Sequence, residues 1–429
     1  MQIYVVEARQ TLAQIAEQTG TTAEQLRQDN GSVAQEPLVA GQTLVILRRQ
    51  QTHTVKPGDS LWVIARQHGL TVRQLYANNP FLYGSDQIQP GQVLTIAYAD
   101  TDRQPMAVSG YAYPNIDRPL LRQTAPNLTY LAPFTYGFTP AGELIPLEDA
   151  ALLEIAADYG TGSLLHLSTL TEGGNFSNVL ASQVLQSESA RENLTRNLLA
   201  EIQTKGYDGL DVDFEFVFPA EAGLYAQFLR QLRDALNPSG YPVIAALVPK
   251  NSADQPGDFY QGHDYKAIGE AANFVLLMTY EWGYTYGPPM AVAPLPSVKR
   301  VLDYAVTEIP PEKIYMGMPN YGYDWTLPYV RGESRARLIG NEEAVAIARR
   351  YGVAISYDET AQSPYFTYTD ESGQEHVVWF EDARSILAKI QTAQSYGFYG
   401  LGYWNLMRSF LQNWQIVNQK ISVRLPEKI

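Results

Sequence analysis

Residues 208–215 read Asp208-Gly-Leu-Asp-Val-Asp-Phe-Glu215, and the architecture of most of the chain follows from them. Side chains on a β-strand alternate between faces, so Asp211, Asp213 and Glu215 share one side while Leu210, Val212, Phe214 and Phe216 share the other. Helical segments are expected on either side, at 189–205 and 221–236. That makes a βαβ unit, whose strand is covered on both faces, so the acids point into the protein. With a rise of about 3.3 Å per residue, neighbouring same-face carboxylates lie roughly 6 to 7 Å apart and couple their titrations. At least one is expected to hold a proton near neutral pH. Two other readings stand beside acid/base chemistry: a solvated acidic strand, and a site for Ca²⁺ or Mg²⁺. The flanking helices leave the first no wet face, and the oxygen-ligand loops that hold Ca²⁺ are built from turns rather than one regular strand. Crowded carboxylates suit proton transfer because each raises the pKa of its neighbour.

Outward from this stretch, strand-like and helix-like segments alternate from about residue 106 to the end. The strand candidates are 107–112, 128–136, 163–168, 209–214, 243–248, 274–279, 314–319 and 399–404, with helical patterns such as 147–159, 297–308 and 381–396 between them. Eight strands alternating with helices fit a (β/α)8 TIM barrel of the α/β class. The spacing breaks once, at 327–379, where a small α+β insertion with a hairpin (365–369, then 376–380) is expected to wall the active-site cleft. Barrel chemistry sits at the C-terminal ends of the strands. There the chain places Asp211, Asp213 and Glu215 on the fourth strand, and Met278-Thr-Tyr280-Glu281-Trp282 on the sixth. The seventh ends in Asn320-Tyr321-Gly-Tyr-Asp324-Trp325 and the eighth in Tyr403-Trp404-Asn405. A Trp in such a place is core filler when it stands alone; beside acids and a Tyr on the same rim, a sugar-stacking floor is the better reading.

Two copies of a smaller unit open the sequence. Val6, Leu12, Ile15, Gly20, Leu26 and Asn30 recur as Val55, Leu61, Ile64, Gly69, Leu75 and Asn79, each displaced by 49 positions. Each copy reads as strand, helix, Gly stop, second helix ending at Asn, and strand: a βααβ unit. Polar joints at 48–52 and 100–105 mark the boundaries, so the units are expected as separate beads at 1–48 and 52–98, before a domain at 105–429. Protein interaction or a purely structural role stands as the alternative to ligand binding for this pair.

Composition narrows the function classes. The 429 residues, 45% hydrophobic and 18% charged, describe a globular protein of two to four domains. A net charge of −14 argues against nucleic acid and against anionic membranes. The 29 Tyr, 14 Phe and 6 Trp are a heavy aromatic load; most belong to core, but aromatic faces are also what sugar rings stack upon. Cysteine is absent and the five histidines, His53, His68, His166, His263 and His376, show no zinc spacing, so neither metal nor cofactor is expected. Met1-Gln-Ile-Tyr-Val-Val-Glu7 has no basic segment followed by an apolar stretch, so no secretory signal is expected, and no run is long enough to insert in a membrane.

Two resemblances follow from these residues. In the second repeat, His53-Thr-Val-Lys-Pro-Gly-Asp-Ser-Leu61 and Gln89-Pro-Gly-Gln92 closely resemble the LysM module, a binder of N-acetylglucosamine-containing glycans. The first copy departs from it, with Glu7-Ala-Arg-Gln10 where Lys56-Pro-Gly-Asp59 stands in the second. The barrel, its acidic strand, Met278-x-Tyr280 and Trp404 together resemble glycoside hydrolase family 18, over roughly residues 106–420. That resemblance implies Glu215 as general acid/base, Asp213 as the residue orienting the substrate acetamido group, and Asp211 as the partner sharing charge and proton with Asp213. It also implies that Tyr280 bonds the acetamido oxygen and that Trp404 floors the reacting sugar, with Met278, Glu281, Asn320 and Tyr321 as further substrate contacts. The implied mechanism is substrate-assisted retention, in which the 2-acetamido oxygen attacks the anomeric carbon. Two departures bear on substrate choice: Ser168-Thr-Leu-Thr-Glu-Gly173-Gly174 stretches the family's Ser-x-Gly-Gly, and Glu281 stands where chitinases carry Asp.

Paired LysM modules together with residues 278–283 and 320–325 resemble the spore cortex-lytic N-acetylglucosaminidases of endospore formers. This implies a monomer acting on cortex peptidoglycan, on fragments already cut by other enzymes, during germination. It implies a location in the spore coat and cortex region, after synthesis in the mother-cell cytosol. A chitinase or chitooligosaccharide hydrolase is the alternative enzyme. A non-catalytic glycan-binding coat protein is the third reading, typically marked by loss of the acid that Glu215 retains here.

Overall fold

The fourth strand is Gly209–Asp213, and it lies between helices Glu188–Lys205 and Ala222–Leu236 with every residue buried. Seven more strands pair around it in parallel: Gln104–Ala112, Tyr130–Pro133, Gly162–Ser168, Val243–Leu247, Phe274–Leu277, Ile314–Pro319 and Gly400–Trp404. The last pairs back onto the first, Gly400 opposite Ala107 and Tyr403 opposite Gly110, so the sheet closes into the expected barrel. In this computed structural model residues 1–99, 101–170, 174 and 176–429 are described. A parallel barrel has helices outside and packed side chains inside, which is why its strands read as continuous apolar runs rather than as alternation. A short strand the sequence pattern did not reveal, Ile421–Val423, runs beside the start of the first, Ile421 opposite Gln104.

The insertion is a five-stranded antiparallel sheet with helix Asn341–Tyr351. Its strand Gly322–Thr326 follows the seventh barrel strand almost at once, so the sheet starts ahead of residue 327. The expected hairpin is Ser363–Thr369 with Glu375–Trp379.

Each N-terminal repeat folds as βααβ: Gln2–Val5 pairs with Thr43–Ile46, and Arg49–Thr54 with Val93–Tyr98. The asparagine that closes each second helix explains its recurrence. Asn30 donates to the carbonyls of Leu26 and Val45, both at 2.9 Å, and accepts from the amide of Val45 at 2.6 Å. Asn79 repeats this with Leu75 and Thr95. One buried amide thus ties helix end to strand in each unit, satisfying backbone groups that burial would otherwise orphan.

The expectation of separate beads is corrected. The joint at 48–52 is mostly strand, and both modules are docked. Gln412 donates to Asn30 Oδ1 at 2.9 Å and to the Thr43 carbonyl at 2.7 Å. Val33 and Leu44 of the first module share one apolar cluster with Ile339, Val345 and Phe366 of the insertion. Arg73 of the second module donates to the carbonyls of Pro126 (3.0 Å), Gly160 (2.9 Å) and Leu128, just ahead of the second and third barrel strands. A unit this small buries only a modest share of its surface by itself, and docking adds to it.

Candidate active site

At the C-terminal end of the barrel lies a cleft of about 1110 Å³. Asp213, Glu215, Met278, Tyr280, Glu281 and Trp404 all line it. Asp211 lies one strand repeat deeper, 1% exposed. The strand ends at Asp213, so alternation lapses beyond it, and Phe216, expected on the helix side, lines the cleft as well.

The acids are not equivalent. Burial pushes the Asp211 carboxyl up to about 6, against the pull of the His166 imidazole and of the Tyr111 hydroxyl beside it. Glu215 is driven well above the ordinary glutamate range, first by burial, then by the charges of Asp213 and Glu281. It faces the cleft yet is hemmed in by protein, and this favours its protonated form. Desolvation and like charge act in the same direction, both favouring the neutral acid. Tyr280 is likewise held protonated, mainly by burial and by Asp213, and offers a hydroxyl donor to whatever enters.

Several residues that hold this arrangement were not among the site residues expected from the sequence. His166, 1% exposed, puts Nε2 at 3.8 Å from Asp211 and 3.7 Å from Asp213, while its Nδ1 lies 2.6 Å from Thr135 Oγ1. His263, fully buried, donates from Nε2 to the carbonyls of Phe214 (3.0 Å) and Glu215 (3.2 Å), pinning the backbone where strand gives way to loop. Burial lowers its pKa to about 4, so it stays neutral. Trp404 stands against Phe134 at 4.9 Å and Tyr111 at 5.6 Å between ring centroids, a cluster that fixes the indole at the cleft floor.

The seventh-strand residues behave differently from expectation. Asn320 is 2% exposed, and its amide donates to the carbonyls of Asn405 and Arg408, bracing the loop after the eighth strand instead of lining the cleft. Tyr321 lies behind Glu281, donating its hydroxyl to that carboxylate, and Tyr323 does the same at 3.0 Å. These two bonds hold Glu281 in the left-handed region, φ 68°, which a side chain other than glycine adopts only at some expense in energy. Gly317 serves the same geometry from the barrel interior: a Cβ there would meet the Leu277 carbonyl at 2.5 Å and the Tyr280 ring at 2.8 Å. The stretched third-strand motif falls partly on residues 171–173, outside the described residues.

Comparison with known proteins fits this geometry. The sequence profile of glycosyl hydrolases family 18 matches residues 148–408, and that of the LysM domain matches 4–47 and 53–97. The chain belongs to glycosyl hydrolase family 18. It is 37% identical over 434 residues to the cortical fragment-lytic enzyme of Bacillus anthracis, covering 99% of each. Its structure resembles the crystal structure of the Bacillus cereus spore cortex-lytic enzyme SleL, with a TM-score of 0.84 and 36% identity over 100% of this chain and 99% of that one. A chitinase from Chromobacterium violaceum matches more distantly, with a TM-score of 0.67 and 27% identity over 73% of this chain and 98% of that one. The family 18 barrel and its LysM domains thus account for the two resemblances carried by the sequence. Among the described residues, no group of three or more His, Asp or Glu side chains could hold a metal ion, and no helix is long and apolar enough to cross a membrane.

Proposed function

We propose that this glycosyl hydrolase is an N-acetylglucosaminidase of spore cortex peptidoglycan, cutting after N-acetylglucosamine with retention of configuration. The observation that carries it is that Glu215, in surroundings that favour its protonated form, lines the same cleft as Asp213, Tyr280 and Trp404. In this mechanism the sugar stacks on Trp404 and Glu215 protonates the leaving oxygen, while the 2-acetamido oxygen attacks the anomeric carbon. Tyr280 and Asp213 hold that internal nucleophile at attack distance and stabilise the charge it develops. Water, activated by the now ionised Glu215, opens the oxazolinium ion. No protein nucleophile is needed. Asp211, buried and raised to about 6, supplies a second carboxyl with which Asp213 shares charge as the reaction proceeds.

The LysM domains and the likeness to cortex-lytic enzymes favour peptidoglycan as substrate and the spore cortex as the place of action. The test is mass spectrometry and NMR of products from purified cortex fragments. N-acetylglucosamine should appear at the new reducing ends, in the β configuration at first, and Glu215→Gln should abolish release while leaving sedimentation with peptidoglycan intact. Muramic acid at the reducing ends, or undiminished turnover by Glu215→Gln, would overturn the proposal.

A further inference from the structure

The cleft is acidic, with Asp213, Glu215 and Glu281 on its walls, and the chain as a whole carries a net charge of −14. Against that background, Arg300 is the one arginine or lysine lining the cleft among the described residues. It is exposed, on helix Leu295–Glu308 after the sixth strand, and makes no ion pair with any carboxylate among the described residues. Its guanidinium is braced by a 2.8 Å bond to Ser297 Oγ, which also lines the cleft. A neutral polymer of N-acetylglucosamine offers this guanidinium hydroxyl and carbonyl acceptors but no charge to pair with.

Position narrows the partner. The tips of the first, second and eighth strands, with Tyr111, Phe134 and Trp404, form one wall of the cleft. Segments after the fourth, fifth and sixth strands, with Glu215, Asn251, Gln255 and Arg300, form the other. The sugar that reacts lies over Trp404, and the bond it loses points toward Glu215. On the proposed mechanism, the leaving part of the substrate then runs toward the side of the cleft built after the fourth to sixth strands, the side on which Arg300 lies.

We infer that Arg300 reads a carboxylate on the leaving sugar: the lactyl group of a muramyl residue, or the peptide attached to it. This rests on the proposed peptidoglycan substrate and explains how the cleft prefers such a strand to a neutral one. An arginine fork meets a carboxylate with two parallel charge-assisted bonds, a geometry lysine cannot match. Asn251 and Gln255 add uncharged donors on the same wall.

The test uses the full-length protein and two soluble substrates, a disaccharide-peptide oligomer from peptidoglycan and a neutral N-acetylglucosamine oligomer of the same sugar length. For Arg300→Ala, the ratio of kcat/KM on the anionic substrate to that on the neutral one should fall about tenfold, through KM rather than kcat. Arg300→Lys should recover part of it, and Arg300→Glu should lower it further. The wild-type ratio should drop between low salt and 0.5 M NaCl, and that of Arg300→Ala should not. A ratio unchanged in Arg300→Ala, or a loss confined to kcat on both substrates, overturns the role of Arg300 while leaving the peptidoglycan assignment standing. A wild-type protein that cleaves only the neutral oligomer overturns the assignment itself, and this inference with it.

Discussion

Replacing Asp211 by asparagine should make the protein more stable at pH 7.5 while slowing hydrolysis. The carboxyl is 1% exposed and titrates at about 6 instead of 3.8, chiefly because burial disfavours its charge. In acid below 3.8 it is protonated in both the folded and unfolded states, and its contribution to stability is fully present. As pH rises through that range the unfolded chain gives up the proton and the folded one keeps it, so stability is lost until the folded group ionises near 6. A rise from 3.8 to about 6 corresponds to a loss of about 3 kcal/mol. Asparagine has the shape of the protonated acid and no proton to lose. The variant should therefore gain roughly 2 kcal/mol on wild type between pH 4 and pH 7.5, the rest of the difference having built up in stronger acid, whatever constant offset the amide introduces. Urea denaturation of both proteins at several pH values reads this difference directly. Other raised acids cancel because both proteins carry them, Asp29 beside Arg49 being one, also at about 6. Wild-type and variant stability curves running parallel from pH 4 to 7.5 would refute the account of Asp211 as an acid buried against its own ionisation.

The remaining predictions concern the cleft and the core. The Glu281 charge helps keep Glu215 protonated, so Glu281→Gln should move the alkaline limb of the kcat/KM profile to lower pH; an unmoved limb would show that burial and Asp213 set Glu215 without it. Gly317→Ala should displace Tyr280 and lower kcat by an order of magnitude or so, with binding to peptidoglycan retained; full kcat would mean that the Tyr280 position is not critical. Lys389 and Glu381 form a buried pair at 2.8 Å, 1% and 0% exposed at the side chains. Lys389→Met should cost roughly 3 to 5 kcal/mol, and adding Glu381→Leu should restore most of it; thermal unfolding showing the double variant as weak as the single would argue against an uncompensated charge.

The barrel was legible because its strands are doubly covered and therefore show as short apolar runs at even spacing, and the acidic strand stood out because it puts charges where such runs have none. Glu215, Asp213, Tyr280 and Trp404 could be located from the ends of those runs, and the structure gathers them in one cleft. Asn320 and Tyr321 were located by the same rule and lie behind the cleft surface, because the chain turns into the insertion sheet directly after Tyr321. A strand end fixes where a residue sits, not which way its side chain turns once the strand is over. His166 and His263 were invisible as site residues for another reason: each is a single polar residue in an unremarkable segment, and its partners come from distant parts of the chain. A histidine inside the otherwise apolar Leu164-Leu-His-Leu167 was the available signal for the first. Module docking left no periodic trace either, since Arg73, Gln412 and Asn418 are ordinary surface types whose partners are mostly backbone carbonyls.

That docking bears on how the enzyme would meet its substrate. Modules on flexible tethers let a catalytic domain search a volume set by linker length. Here the second module grips the barrel beside Pro126, Leu128 and Gly160, at the ends of the second and third strands opposite the cleft. Were that module to hold a glycan strand, it would hold it from the end of the barrel away from Glu215. Under the proposed function, a module docked there would hold the enzyme at the wall and leave the cleft to loose ends and detached pieces near it. Under the proposed function, any preference for fragments over intact cortex would then come from the geometry of attachment, and not from the chemistry at Glu215.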